Sequence, residues 1–348
     1  MGNQIDINPQ TLLNAAAGLD KDVRPDMDEL NGRFANSYHI EAPGWGVGLS
    51  PFEAMYNMVG DYHLKNLQAA SEAISAVAAG LRKTVDNYNL AEKANVEMFL
   101  APAPDAESWG AGWVDTGIVR TFHTWPASLL GATSEVIAVA TQLAFIGIGV
   151  ATAAMAPDYL AAPIAATLLV SNGFSMVACS RELADIASTL ETGVKAKFDS
   201  FANSATGGWV DDSVVEYREV IAELSGEIAQ AIKVIGAMSS VLASVFALLT
   251  TFWFAFLAFT GPFFITVLEL TISAIGPQAA FIEPLLQAIG ALAAASWLTA
   301  VGTVVGLIGA GIAVLASVVK EFTGMQTFDK QGDSTPDVRQ IKIAWHSS

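Results

Sequence analysis

Four stretches of this chain, residues 136–157, 159–180, 234–268 and 284–319, contain no Asp, Glu, Lys or Arg. Each reaches or exceeds the roughly 20 residues that cross a hydrocarbon core as a helix. About a third of the chain is therefore written for burial or for lipid, and in lipid only helices and closed barrels satisfy their own backbone hydrogen bonds. The stretches are rich in Ala, Gly and Leu without strand-like alternation, which points to helices. Asp158 after Pro157 divides the first two into a helical hairpin. Gly261-Pro262 is expected to break the third, since 35 residues would otherwise reach about 50 Å. The fourth is expected to bend or divide near Gly302, giving four to six membrane-length helices in all.

With 53% hydrophobic residues and a mean hydropathy of +0.45, the chain is too apolar for an ordinary soluble domain. Its charge is confined: residues 1–115 hold 16 acids against 7 bases, and residues 182–232 hold 10 against 3. These are the segments expected to face water. A formal net charge of −17 excludes nucleic acid as a partner, because phosphates need a basic surface. The single cysteine, Cys179, excludes an internal disulfide framework and a Cys-based zinc site. Met1–Asp22 shows no basic start followed by an apolar run, so a cleavable secretory signal is not expected there.

The first acidic segment reads as a helical hairpin. Asn8-Pro9 is a helix start, and Leu12, Ala16, Leu19, Val23, Met27, Leu30 and Phe34 recur at helical spacing to about Ser37. Pro25 should kink or interrupt this helix. A turn, Ala42-Pro43-Gly44-Trp45-Gly46-Val47-Gly48, follows, and Ser50-Pro51-Phe52-Glu53 forms a capping box. Phe52, Met55, Val59, Leu67, Ala70, Ile74, Val77, Leu81, Val85 and Tyr88 then continue a second helix to about Phe99.

Part of this pattern returns. Phe34-Ala35-Asn36-Ser37, Gly44-Trp45, Ser50 and Glu53 are echoed by Phe201-Ala202-Asn203-Ser204, Gly208-Trp209, Ser213 and Glu216. A degenerate internal repeat is expected, with arms near 182–203 and 213–232.

Tyr88-Asn89-Leu90-Ala91-Glu92 places a phenol and a carboxylate four residues apart, on one helical face. The capped helices, the Gly44-Trp45-Gly46 turn and this trailing Tyr-x-x-x-Glu together resemble the WXG-type proteins secreted by actinobacterial type VII (ESX) systems, over about residues 8–100. The family's Trp-x-Gly would put glycine where this chain has Val47, a departure that bears on the geometry of the turn. The resemblance implies export as a folded four-helix pair and recognition of Tyr88 and Glu92 by the type VII secretion ATPase. It also implies pairing along the helix faces, with a WXG-type partner or with the second hairpin of the same chain.

In the apolar part, Gly302, Gly306 and Ala310 set small residues every four positions, a groove for close helix packing within the chain or between copies of a homo-oligomer. Glu269 is a candidate for lining a pore, whereas Glu283 before Pro284 suits a helix start at an interface. Trp253 and Trp297 suit either an interface belt or a core. His39, His63, His123 and His346 have no metal-ligand spacing, and no nucleophile elbow or phosphate loop is present, so neither an enzyme nor a cofactor is expected.

The expected fold is all-α, combining WXG-like hairpins with membrane-length apolar helices. It divides into a hairpin with secretion signal (1–105), a linker and apolar helical hairpin (106–181), a second acidic hairpin (182–233), apolar helices (234–321) and a polar tail (322–348). The expected function is that of a type VII secreted protein that meets membrane lipid in the cell envelope or a target membrane and assembles a pore or channel. Two alternatives are a non-pore interaction protein with its apolar helices covered, and a resident membrane component of the secretion system.

Overall fold

A computed structural model of the chain describes residues 6–40, 44–94, 129–210, 213–273 and 279–327. The first rod is α1 (Pro9–Gly18) and α2 (Arg24–Ser37), joined without a break by a π turn, Leu19–Val23. Asn8 caps it: its side-chain oxygen accepts hydrogen bonds from the Gln10 and Thr11 amides at 3.1 and 3.3 Å. Pro25 does not interrupt the rod. The wider π turn ends two residues before it, and such turns are where a helix absorbs a local mismatch in its hydrogen-bond ladder.

The rod turns through Trp45 into α3 (Ser50–Ala94), to complete the first hairpin. After the span that is not described come α4 (Leu129–Met155), a 3₁₀ turn at Pro157–Leu160 and α5 (Ala161–Thr167). A second rod then repeats the first: α6 (Gly173–Thr189), a π turn at Leu190–Lys195, and α7 (Ala196–Ala205). Neither π turn contains a proline, and both carry Leu and Val four apart, Leu19/Val23 and Leu190/Val194, all four wholly buried.

The two rods lie against each other antiparallel. Gly18 meets the ring of Phe201 near one end, and Arg33 binds Glu182 and Asp185 near the other. Lys197 pairs with Asp26 between these points. α3 packs on the first rod and also on α8 (Ser213–Ser273), so the two hairpins share one core. A two-residue antiparallel clasp, β1 (Asp6–Ile7) with β2 (Trp209–Val210), ties the start of the first rod to the turn of the second hairpin.

α8 begins as the outgoing arm of that hairpin and runs on unbroken for 61 residues, about 90 Å. Pro262 lies inside it and does not break it, contrary to the sequence-based expectation. Packing explains this: Thr260 meets the Tyr159 hydroxyl at 3.1 Å, and Phe263 stacks on Phe259 and packs on Tyr159 around the proline. α9 (Ala279–Thr327) likewise continues through Gly302 and packs back along α8. Its Trp297 lies among Phe252, Phe256 and Phe259, with ring centres 5.0–5.7 Å apart. Trp253 and Trp297 are thus core residues, both buried, and the Trp253 indole donates to the Leu169 carbonyl at 3.3 Å.

Among the described residues the fold is all-α apart from the clasp, but two helices, not four to six, are long and apolar enough to cross a membrane: Tyr217–Ile272 and Ile282–Ala310. The stretch 159–180 falls short because it is divided. A non-helical link at 168–172 separates α5 from α6, and Asn172 caps the latter by accepting from the Ser175 amide. Val139–Met155 of α4 is apolar but shorter.

Candidate functional site

The Trp45 turn is built by two glycines. Gly44 and Gly46 have φ of +59° and +84°, the left-handed region in which a side chain is strained. Gly46 also presses its Cα face on the backbone of the 168–172 link, where a Cβ would stand 2.3 Å from the Val170 carbonyl oxygen. The turn and the link exchange backbone hydrogen bonds: Gly48 donates to Leu168 and Asn172 donates to Gly44, each at 2.9 Å. Glu53 reaches back to accept from the Trp45 amide at 3.4 Å, and the Ser50 hydroxyl donates to the Val47 carbonyl at 3.0 Å, so both residues of the expected capping box hold the turn. Trp45 is wholly buried, its ring 5.4 Å from that of Tyr56.

The same link gathers the apolar half. Gln142 of α4 makes a two-way pair with Ser171, donating to its carbonyl at 3.2 Å and accepting from its amide at 3.0 Å. With Trp253 on the Leu169 carbonyl, the Trp45 turn, α4 and α8 all meet on these five residues. The Trp209 turn is its counterpart. Trp209 is buried with its ring 5.3 Å from Tyr217, and its backbone pairs with Ile7, just before the Asn8 cap. Each tryptophan turn is therefore clasped to the segment that leads into the other hairpin, at Asn172 in one case and at Ile7 in the other.

Burial, with a smaller contribution from the nearby Cys179 thiol, pushes the Tyr56 phenol well above its ordinary value near 10. A raised folded-state value means that this stability is complete below about pH 10 and is lost as pH rises beyond it, because the unfolded phenol ionises first. Wild type should therefore lose about 1.4 kcal/mol per pH unit above about pH 10 relative to Tyr56→Phe. Urea melts of both proteins at about pH 9 and about pH 11 check this, and parallel losses would refute it.

Between α3 and α8 lies a small cavity lined by His63, Asn66, Leu67, Ala70, Glu227, Ile228 and Ala231. His63 is wholly buried and Glu227 nearly so, and the Asn66 side-chain oxygen has no hydrogen-bond partner among the described residues. Space for about one water is present there. Among the described residues no group of three or more His, Cys, Asp or Glu converges to hold a metal ion.

The remaining sequence-derived positions that are described do not converge on one place. Tyr88 is half-buried against the core near the end of α3, while the Glu92 side chain lies outside the described part. Gly208 closes the 3₁₀ turn before Trp209. Gly302, Gly306 and Ala310 are exposed on α9, and a Cβ on either glycine would meet open space, whereas Gly309 faces Phe52 of α3. Glu269 is exposed in the last turns of α8. His123 and His346 fall on residues that are not described.

Large apolar side chains dominate the outer faces of the two long helices. Phe254 is 69% exposed and Leu292 72%, with Ile265, Ile272 and Leu307 open beside them. Of the most apolar windows of α8 and α9, only 33% and 28% is buried. The sequence reading did not pick out Tyr217, Asn172 or Gln142; a Tyr a few residues after each Trp turn, and an Asn before each rod, were the available signals. No family model, curated protein or solved structure matches the chain.

Proposed function

We propose that this chain is a WXG-type protein exported by an actinobacterial type VII system, and that its long apolar helices then insert into a membrane and assemble a pore. The two hairpins pair within the chain and form the water-facing part. The secretion ATPase recognises Tyr88 and Glu92, and membrane lipid and further copies of the chain are the later partners.

The observation that carries the membrane half is the exposed apolar surface of α8 and α9, helices long enough to cross a bilayer and mostly uncovered. The paired tryptophan turns support the secretion half, since they give two hairpins of one plan in a single chain. Changing Tyr88 and Glu92 together to Ala should reduce export to the level seen without the ATPase. The exported protein should release dye trapped in phospholipid vesicles. Normal export of the double variant would remove the secretion signal, and intact vesicles would leave a non-pore interaction protein with its apolar faces covered by a partner. A location unchanged by loss of the ATPase would favour a resident membrane component.

A further inference from the structure

The helical pair α4–α5 is built inside out for a protein whose solvent is water. Its buried positions are mostly small, Gly149, Ala153, Ala156, Ala162 and Ala166, with Ile146 and Tyr159 as the large exceptions. Its outer positions carry bulk: Leu143, Val150, Leu160 and Ile164 are 45–57% exposed. Leu168, beside Gly48, continues this face to Val47 of the Trp45 turn, which is 77% exposed. In water the large apolar side chains are the ones whose burial stabilises a fold. Small residues inside instead allow close approach between helices, the packing used where lipid is the solvent. The approach here is close: a Cβ on Gly149 would stand 3.0 Å from Pro163, and one on Gly290 of α9 would stand 3.3 Å from the Ala156 Cβ.

The pair meets the other demands of lipid as well. Asp158, at the turn, is the one charged residue between Glu135 and Arg181, so both arms are uncharged. Thr152 and Thr167 turn their hydroxyls back on the Ile148 and Ile164 carbonyls at 2.8 and 2.6 Å, and the Tyr159 hydroxyl meets Thr260. The non-helical link at 168–172 has every amide paired. Leu168, Leu169 and Val170 donate into the last turn of α5, Ser171 donates to Gln142 and Asn172 to Gly44. Irregular backbone is tolerated at membrane depth only where the protein itself satisfies its polar groups. With 7 residues, about 10 Å, α5 is too short to cross a bilayer.

We propose that the outer face of α4–α5 lies against lipid acyl chains, and that the pair enters the bilayer packed on α8 and α9 as a re-entrant hairpin. This rests on the membrane-inserting reading above and enlarges the embedded part from two arms to four. The inner face suits lipid because helices there are held by close packing, with no hydrophobic drive between them. The outer face suits it because large apolar side chains cost free energy in water and not in hydrocarbon. The hairpin returns to the side it entered from. Gln142 and Ser171 close its base, and the Trp45 turn, bonded to the same link, marks the depth at which the chain comes back.

The test uses the full chain in a Cys179→Ala background, with one thiol at a time carrying an environment-sensitive fluorophore: Val150→Cys or Ile164→Cys on this face, Leu292→Cys on α9, Glu29→Cys on the first rod. Each protein is mixed with vesicles of zwitterionic and anionic phospholipid whose acyl chains carry a nitroxide quencher. The Val150, Ile164 and Leu292 probes should be quenched alike, and the Glu29 probe should not. Quenching at Leu292 without quenching at both Val150 and Ile164 would overturn the lipid face while leaving the membrane reading in place. Quenching at none of the three would overturn both. Combining Val150→Gln, Leu160→Gln and Ile164→Gln should lower the quenched fraction of the Leu292 probe by about ten-fold or more, because each amide would enter hydrocarbon. An unchanged fraction would overturn the contact with acyl chains. The pair Ala156→Cys and Gly290→Cys should oxidise as readily in vesicles as in water, its β-carbons being close enough for a disulfide. A bond that forms only in water would show α4–α5 leaving α9 and would overturn the packed arrangement.

Discussion

Gly46→Ala is expected to cost the protein about 3 kcal/mol or more. Two effects add. At φ +84° and ψ 165° the backbone sits in a region open essentially to glycine alone, so any β-carbon is strained. The new methyl would also lie 2.3 Å from the Val170 carbonyl oxygen, which belongs to the backbone and has no rotamer by which to move aside. Relief would require the turn to lift away from residues 168–172, breaking the Gly48–Leu168 and Asn172–Gly44 hydrogen bonds. Gly207 is the control: no atom lies within 4 Å of its would-be Cβ, and Gly207→Ala should stay within about 0.5 kcal/mol of wild type. Urea midpoints at constant slope measure both. A loss below about 1 kcal/mol for Gly46→Ala would show that the turn yields and that its contact with the link is soft.

What was legible in the sequence was local chemistry. Asn8-Pro9 announced a helix start because an N-cap and a proline at the first position act within one turn, and the structure places both there. The Trp209 echo of Trp45 was visible as residues in order, and both rings lie buried against a tyrosine. The consequences of proline were not legible. Pro25 and Pro262 both look like breaks, yet one follows a π turn and the other sits within the packing of Tyr159, Thr260 and Phe263, contributed partly from a hundred residues away. The number of long apolar helices was overestimated for a related reason. A run without charge has no polar face to mark where a helix starts, so Asn172 passed unnoticed as a cap and the link at 168–172 read as helix interior. Nor does amphipathic period say what will cover a face: the acidic arm at 213–232 flows into α8 without any signal of a boundary, because the helix itself has none.

The two tryptophans offer the other large effect and a way to separate local from transmitted loss. Trp45→Ala and Trp209→Ala should each cost about 3–5 kcal/mol, the range for emptying a buried aromatic site. The losses should differ in reach. The Trp209 turn is tied to β1 and Tyr217, so its removal should loosen residues 6–12 and the start of α8. The Trp45 turn is tied to the link that also holds Gln142 of α4 and Trp253 of α8, so its removal should loosen the anchorage of the apolar helices as well as the first hairpin. Native-state hydrogen exchange reads this directly: Trp45→Ala should lower protection at the start of α6 and around Gln142, whereas Trp209→Ala should leave both near wild type. Protection lost only within residues 9–94 of Trp45→Ala would mean that the link is held from the apolar side alone. Loss at the link would make the Trp45 turn the joint through which the first hairpin restrains the apolar helices.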